Sequence, residues 1–229
     1  MCFSATVSYS AAAVLASSGM YAIRQARRMP PPYRLWALIP VLFAVQQTFE
    51  GLVWQKLESG NAGASVPYAL GFHFFSHFLW LWWLPLSSYL VESGKVRRRI
   101  IGGFALFGAF AGTMVYSAML FHPEWMSAGI KQHSIDYRFI VPYPSPLPFH
   151  MPVTPVMLYG LTILVPLLAS SHKLIRIFGI LVILSMALAS EIRNEAFISV
   201  WCFFAAALSL YLVYMLRHYA AAESKPDEA

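Results

Sequence analysis

Charge is what this chain most lacks. Only 11% of its 229 residues are Asp, Glu, Lys or Arg, against roughly 25% in a soluble globular domain. That stock is too small to cover a water-facing surface. Cysteine is also scarce: Cys2 and Cys202 cannot make a disulfide framework, though one bridge or a thiol role stays open. No Lys or Arg precedes the first apolar run, while Arg24, Arg27 and Arg28 follow it. A cleavable secretory signal has the opposite order, so residues 4–28 read as a retained first helix. A Walker loop, a dinucleotide glycine fingerprint, a G-x-S-x-G elbow and the Glu of H-E-x-x-H are all missing. The net charge of +6 does not point to nucleic acid, because the basic residues cluster between apolar blocks.

What the chain does have is apolar length. It is 59% hydrophobic, with mean hydropathy +0.59. The blocks fall at about 4–26, 34–57, 67–92, 99–121, 153–171, 174–191 and 195–216. Each is near the ~20 residues that cross ~30 Å of hydrocarbon. The expected fold is an all-α integral membrane bundle of about seven transmembrane helices in one domain, residues 1–229. Only Ser170, Ser171, His172 and Lys173 separate the fifth and sixth blocks, so a buried hairpin is the alternative there.

Basic residues set the orientation. Arg24, Arg27, Arg28 and Arg34, then Lys95, Arg97, Arg98 and Arg99, then Lys173 and Arg176, and finally Arg217 and Lys225 fall on one side. Lys56, Lys131, Arg138 and Arg193 fall on the other. The positive-inside rule then puts the N-terminus outside and the C-terminus inside, with 219–229 as a short cytoplasmic tail. His172 and His218 sit beside basic residues and read as solvated.

Pro40, Pro85, Pro155 and Pro166 fall within spans, where each removes a backbone donor. Gly108 and Gly112 make a small-xxx-small face for close helix packing. Trp54 reads as an aromatic-belt anchor near the outer interface. For Trp80, Trp82 and Trp83 the sequence leaves lipid, a neighbouring helix or a hydrophobic ligand open. The connection at about 122–152 holds His122, His133, Asp136, Tyr137, Arg138 and His150. Its alternating Pro142, Pro144, Pro146 and Pro148 favour a stiff, extended backbone. It is expected to form an ordered outer cap.

Glu50, His73 and His77 are the anomaly. Ionisable groups inside a membrane span are costly, so they normally pair, bind something or relay protons. At a rise of ~1.5 Å per residue, Glu50 lies roughly 12 Å below the outer end of its helix. By the same measure His73, His77 and Cys202 lie roughly 9, 15 and 10 Å down theirs, in the same outer layer. His73 and His77 form H-x-x-x-H, which projects both imidazoles from one helix face and lets them share a metal ion. Zinc needs a third ligand, for which Glu50, Cys2, Cys202 and His133 are candidates. A proton or hydrogen-bond network and plain packing are the alternatives. Haem is disfavoured, since one helix cannot grip it from both faces. Gln46, Gln47 and Glu50 define one polar stripe on the second helix, which should face the bundle interior.

The opening Met1-Cys2-Phe3-Ser4-Ala5 joins two later motifs, Glu50-Gly51-Leu52-Val53-Trp54 behind Gln46-Gln47, and Ser199-Val200-Trp201-Cys202-Phe203-Phe204-Ala205-Ala206. Together they resemble an uncharacterised family of small bacterial multi-spanning membrane proteins, a domain of unknown function. His133-Ser134-Ile135-Asp136-Tyr137 is similar to that family's His-x-x-x-Tyr segment. The resemblance runs nearly end to end and implies a multi-pass protein of the bacterial inner membrane. It carries no activity, and it points to Cys2, Glu50, His133 and Cys202.

These features lead to a metal site, zinc or another transition metal, in the outer third of the bundle. His73, His77, Cys2 and Glu50 are the ligand candidates, with Glu50 also the candidate general base. His133, Cys202, Tyr137 and Gln47 are possible additions. The expected chemistry is metal-dependent hydrolysis of a lipid-like or small apolar substrate, with membrane lipids as surroundings. A transporter, channel or sensor using Glu50, His73 and His77 as a proton or ligand site is the alternative. Oligomeric state is left open.

Overall fold

The computed structural model describes residues 4–131, 133–139, 155–192 and 197–223. Cys2, His150, Pro142, Pro144, Pro146, Pro148, Arg193 and the tail beyond residue 223 lie outside the described residues. Helix α1 (Ala5–Ala26) opens at Ser4, whose hydroxyl accepts the Val7 N–H at 3.4 Å. Its buried face is Ser8, Ala12, Leu15, Gly19, Ala22 and Ala26, all but Leu15 small, at a helical spacing that lets α2 (Arg34–Glu58) lie close. Next, α3 (Val66–His73), a π-helical segment (Phe74–Leu79) and α4 (Trp80–Val91) run on without a break. Then come α5 (Lys95–Phe121), α6 (Pro155–Ala169), α7 (Lys173–Ile192) and α8 (Phe197–Glu223).

Four helices, Pro31–Glu58, Lys95–Phe121, Lys173–Glu191 and Ile198–Ala221, are long and apolar enough to cross a membrane. The bundle is apolar inside and out. Trp36, Ile39, Phe43, Phe178 and Leu212 fill its centre. On its outer surface Leu106 is 77% exposed and Phe110 66%. Water would penalise that face; lipid would not.

Gly108 and Gly112 do provide close packing. A Cβ on Gly108 would stand 1.9 Å from the Leu81 carbonyl oxygen. Pro85 lies four residues after Leu81 within α4 and has no N–H to offer that carbonyl. The freed oxygen instead presses against the bare Cα of Gly108. A Cβ on Gly112 would stand 3.1 Å from Phe78 Cα, so the π segment also rests on α5.

The described part of the connection after α5 is ordered, and it adds one strand pair to an otherwise helical chain. Strands β1 (Met126–Lys131) and β2 (Ser134–Phe139) pair as an antiparallel hairpin. The cause is the period-two pattern Ile135, Tyr137, Phe139 against Ser134, Asp136, Arg138. Met126 and Ile135 pack on Val53, Trp54, Ala69 and Met119. Trp54 is therefore only 2% exposed, under the hairpin, and is not an interfacial anchor.

At the other end, where the basic residues gather, Glu92 ties two turns together. Its carboxylate accepts the Gly94 N–H at 3.0 Å and the Ser171 N–H at 2.7 Å. Burial alone would raise its pKa, but those backbone donors hold the carboxyl below its ordinary range. His172 is not solvated as expected. Its Nε2 lies 2.9 Å from the Val91 carbonyl oxygen, and its ring meets Tyr33 and Tyr219 edge-on. His218 is exposed.

Candidate functional site

Helix α2 carries the polar stripe. Gln46, Gln47 and Glu50 are all fully buried, facing the interior as their spacing demands. Gln47 Nε2 donates to Glu50 Oε2 at 3.2 Å, and the Ser199 hydroxyl of α8 donates to Glu50 Oε1. Gln46 Oε1 accepts the Trp80 indole N–H at 2.8 Å. Gln46 Nε2 has no hydrogen bond of ordinary length among the described residues, and the Cys202 thiol is its neighbour. Glu50 also lies close enough to Cys202 to act on it electrostatically.

The π segment carries the histidines. His73 Nδ1 stands 3.1 Å from His77 Nδ1 and 3.2 Å from Ser76 Oγ, and Ser76 Oγ stands 2.9 Å from His77 Nδ1. Three polar atoms thus close a triangle. π-helical turns recur at functional sites, and this one places Ser76 between the two rings. The Tyr137 ring of β2 stacks on Phe72 at 5.0 Å and meets His73 edge-on at 4.7 Å.

Behind this wall lies a pocket of about 240 Å³ between the π segment, α5, α6 and α8. Its inner side presents Ser76, His77, Tyr159 and Cys202, and its outer walls include Phe107, Val115 and Leu158. Those three are 41%, 42% and 44% exposed on the side of the bundle, so the pocket opens laterally between α5 and α6. Tyr159, Trp201 and Cys202 separate it from an inner cavity of about 30 Å³ beside Phe43 and Trp80.

Ser76 and His77 stand on one wall of the pocket and Cys202 on the facing helix, His73 joins the first pair through the triangle, and Glu50 pairs separately with Ser199. They do not bring His133 down. It is exposed at the hairpin turn with φ 64°, and Tyr137 is the cap residue that reaches His73. Among the described residues no three His, Cys, Asp or Glu side chains converge closely enough to hold a metal ion. Cys2 falls outside them. Ser76, Ser199 and Tyr159 were missed. A hydroxyl in an apolar helix carries no sequence signal, although Ser76 lies inside His73-x-x-Ser76-His77 and Ser199 inside the Trp201-Cys202 motif.

No curated protein and no solved structure matches the chain. The model of the family of unknown function DUF6629 matches residues 1–227, nearly the whole sequence, and the chain belongs to that family.

Proposed function

We propose that this protein is a seven-span protein of the bacterial inner membrane that takes a lipid-like molecule from the plane of the bilayer into the pocket between α5 and α6. The α3–π–α4 rod and helices α1 and α6 complete the seven spans in this reading. The basic end faces the cytoplasm and the hairpin end faces outward, following the positive-inside rule. The observation that carries the proposal is the pocket itself: apolar walls exposed on the lipid-facing side, and a polar inner wall at His77, Ser76 and Cys202. Its volume of about 240 Å³ exceeds the ~150 Å³ of an engineered dry cavity that takes benzene. Native mass spectrometry of gently extracted protein tests it. Wild type should retain a bound lipid-like mass that Ala111→Trp and Leu158→Trp, which fill the pocket, both lose. No retained mass in wild type, or equal retention in the two variants, sinks the reading.

Metal-dependent hydrolysis of the bound molecule is the catalytic extension of this proposal. His73 and His77 would be two zinc ligands, Cys2 the third, and Glu50 the general base. Elemental analysis of wild type and Cys2→Ala decides it: equal metal content removes Cys2 as a ligand. A transporter or sensor is the second reading, favoured by the 3.1 Å contact between the two imidazoles, which is suited to holding a proton. Proteoliposomes showing no proton movement in a pH jump would rule it out.

A further inference from the structure

The pocket's inner wall restricts the head group it accepts; this inference rests on the binding role proposed above. None of the described lining residues is Lys, Arg, Asp or Glu. The polar groups among the lining residues are the His77 imidazole, the Trp201 indole N–H, the Ser76, Tyr159 and Thr162 hydroxyls and the Cys202 thiol. Thr162 already donates to the Leu158 carbonyl at 2.8 Å, which leaves its lone pairs. An ionised head group entering here would lose its water and meet no counter-charge, which is strongly unfavourable. A neutral hydroxyl would find both donors and acceptors.

The histidine pair sharpens this. Two Nδ1 atoms can share a hydrogen bond only when one carries a proton and the other does not. With a hydrogen bond across their 3.1 Å separation, neutral His73 and His77 hold opposite tautomers. One ring keeps a bare Nε2 and the other an Nε2–H. His77, whose Nδ1 is taken by His73 and Ser76, has Nε2 left to offer. Exchanging the two tautomers turns that atom from donor to acceptor, and a hydroxyl can answer either.

We propose that the pocket selects an uncharged long-chain alcohol over anionic amphiphiles, with His77 Nε2 hydrogen-bonding its hydroxyl.

Three diazirine-bearing sixteen-carbon probes test this: an alcohol, a carboxylic acid and an alkyl phosphate. Each is presented at equal mole fraction and pH 8 to the full chain in phosphatidylcholine nanodiscs. The expected result is that the alcohol labels α5, α6 and α8 peptides at least about tenfold more than the phosphate, the scale of one buried hydrogen bond. His77→Leu should cut the alcohol's labelling by about tenfold, the loss of that hydrogen bond. His77→Gln, which keeps a donor and an acceptor, should retain the preference. Acid or phosphate labelling equal to the alcohol, blocked by Ala111→Trp, overturns the selection and leaves the pocket standing. Labelling by none of the probes, or labelling unaffected by Ala111→Trp and Leu158→Trp, overturns the pocket and the selection together.

Discussion

Replacing Gly108 by alanine should push α5 away from α4, whose Leu81 carbonyl it touches. The added Cβ would lie 1.9 Å from the Leu81 carbonyl oxygen and 2.6 Å from its carbon. The obstacle is backbone, so no rotamer change relieves it, and α5 must move away from α4. Overpacking of this kind costs ~1–3 kcal/mol, and a backbone obstacle places Gly108 near the upper figure. Alanine's better helix propensity offsets ~1 kcal/mol, leaving a net loss of ~2 kcal/mol. At roughly 2–4 °C per kcal/mol for a chain of this size, the melting point should fall by about 4–8 °C. Gly103→Ala is the internal control, because nothing lies within 4 Å of its Cβ; it should melt no lower than wild type. Gly112→Ala, at 3.1 Å from Phe78, should fall between them. Thermal unfolding of all four proteins in one detergent, followed by fluorescence-detected size exclusion, measures the series. Equal melting of the Gly108 and Gly103 variants would falsify the close approach of α5 to α4.

Three further outcomes follow from named contacts. Glu92→Gln should lose ~1.5 kcal/mol at neutral pH, because hydrogen bonds to a charged acceptor are stronger than those to a neutral one. Since the folded carboxyl titrates below its ordinary value of 4.5, the wild-type advantage is complete above that pH and fades as pH falls through the folded value. Melting curves of both proteins that stay parallel down to pH 3 would contradict this. Trp80→Phe should cost ~1–3 kcal/mol by stranding Gln46 Oε1, whereas Trp80→Phe with Gln46→Leu should recover most of it. A double variant no more stable than the single one refutes the pairing. His133→Gly should melt at or above wild type, because residue 133 has a positive φ that glycine adopts freely. A loss of more than ~1 kcal/mol would show that the imbalance lies in a side-chain contact instead.

The helices were readable because a long apolar helix is a local property. Runs of apolar residues placed α2 and α7 within a residue or two of their observed ends. Helix α5 begins at Lys95, a turn before the apolar run, because its basic side chains are exposed there and tolerate helix as well as loop. The burial of Glu50 was readable for the same reason, since the stripe Gln46–Gln47–Glu50 has a helical period. The hairpin was not, because its alternation spans only the six residues Ser134–Phe139 and a proline-rich stretch follows closely. Glu92 was not, because an acid at a helix end reads as solvated until a distant turn supplies Ser171. The π segment was not, because its widened turn leaves no mark in the apolar pattern.

By itself the sequence determined that this chain is built of long apolar helices, about where several of them begin and end, and that a few polar residues must face inward. Each follows from the cost of a single group in its own surroundings. Only the tertiary structure decided what those residues meet. It split the expected layer into a Glu50–Ser199 contact between α2 and α8 and a His73–Ser76–His77 triangle in the π segment. It left His133 on the surface and put Tyr137 against His73. It opened the pocket between the π segment, α5, α6 and α8, which are far apart along the chain. Distance between such elements depends on how their side chains pack, and no local pattern records it.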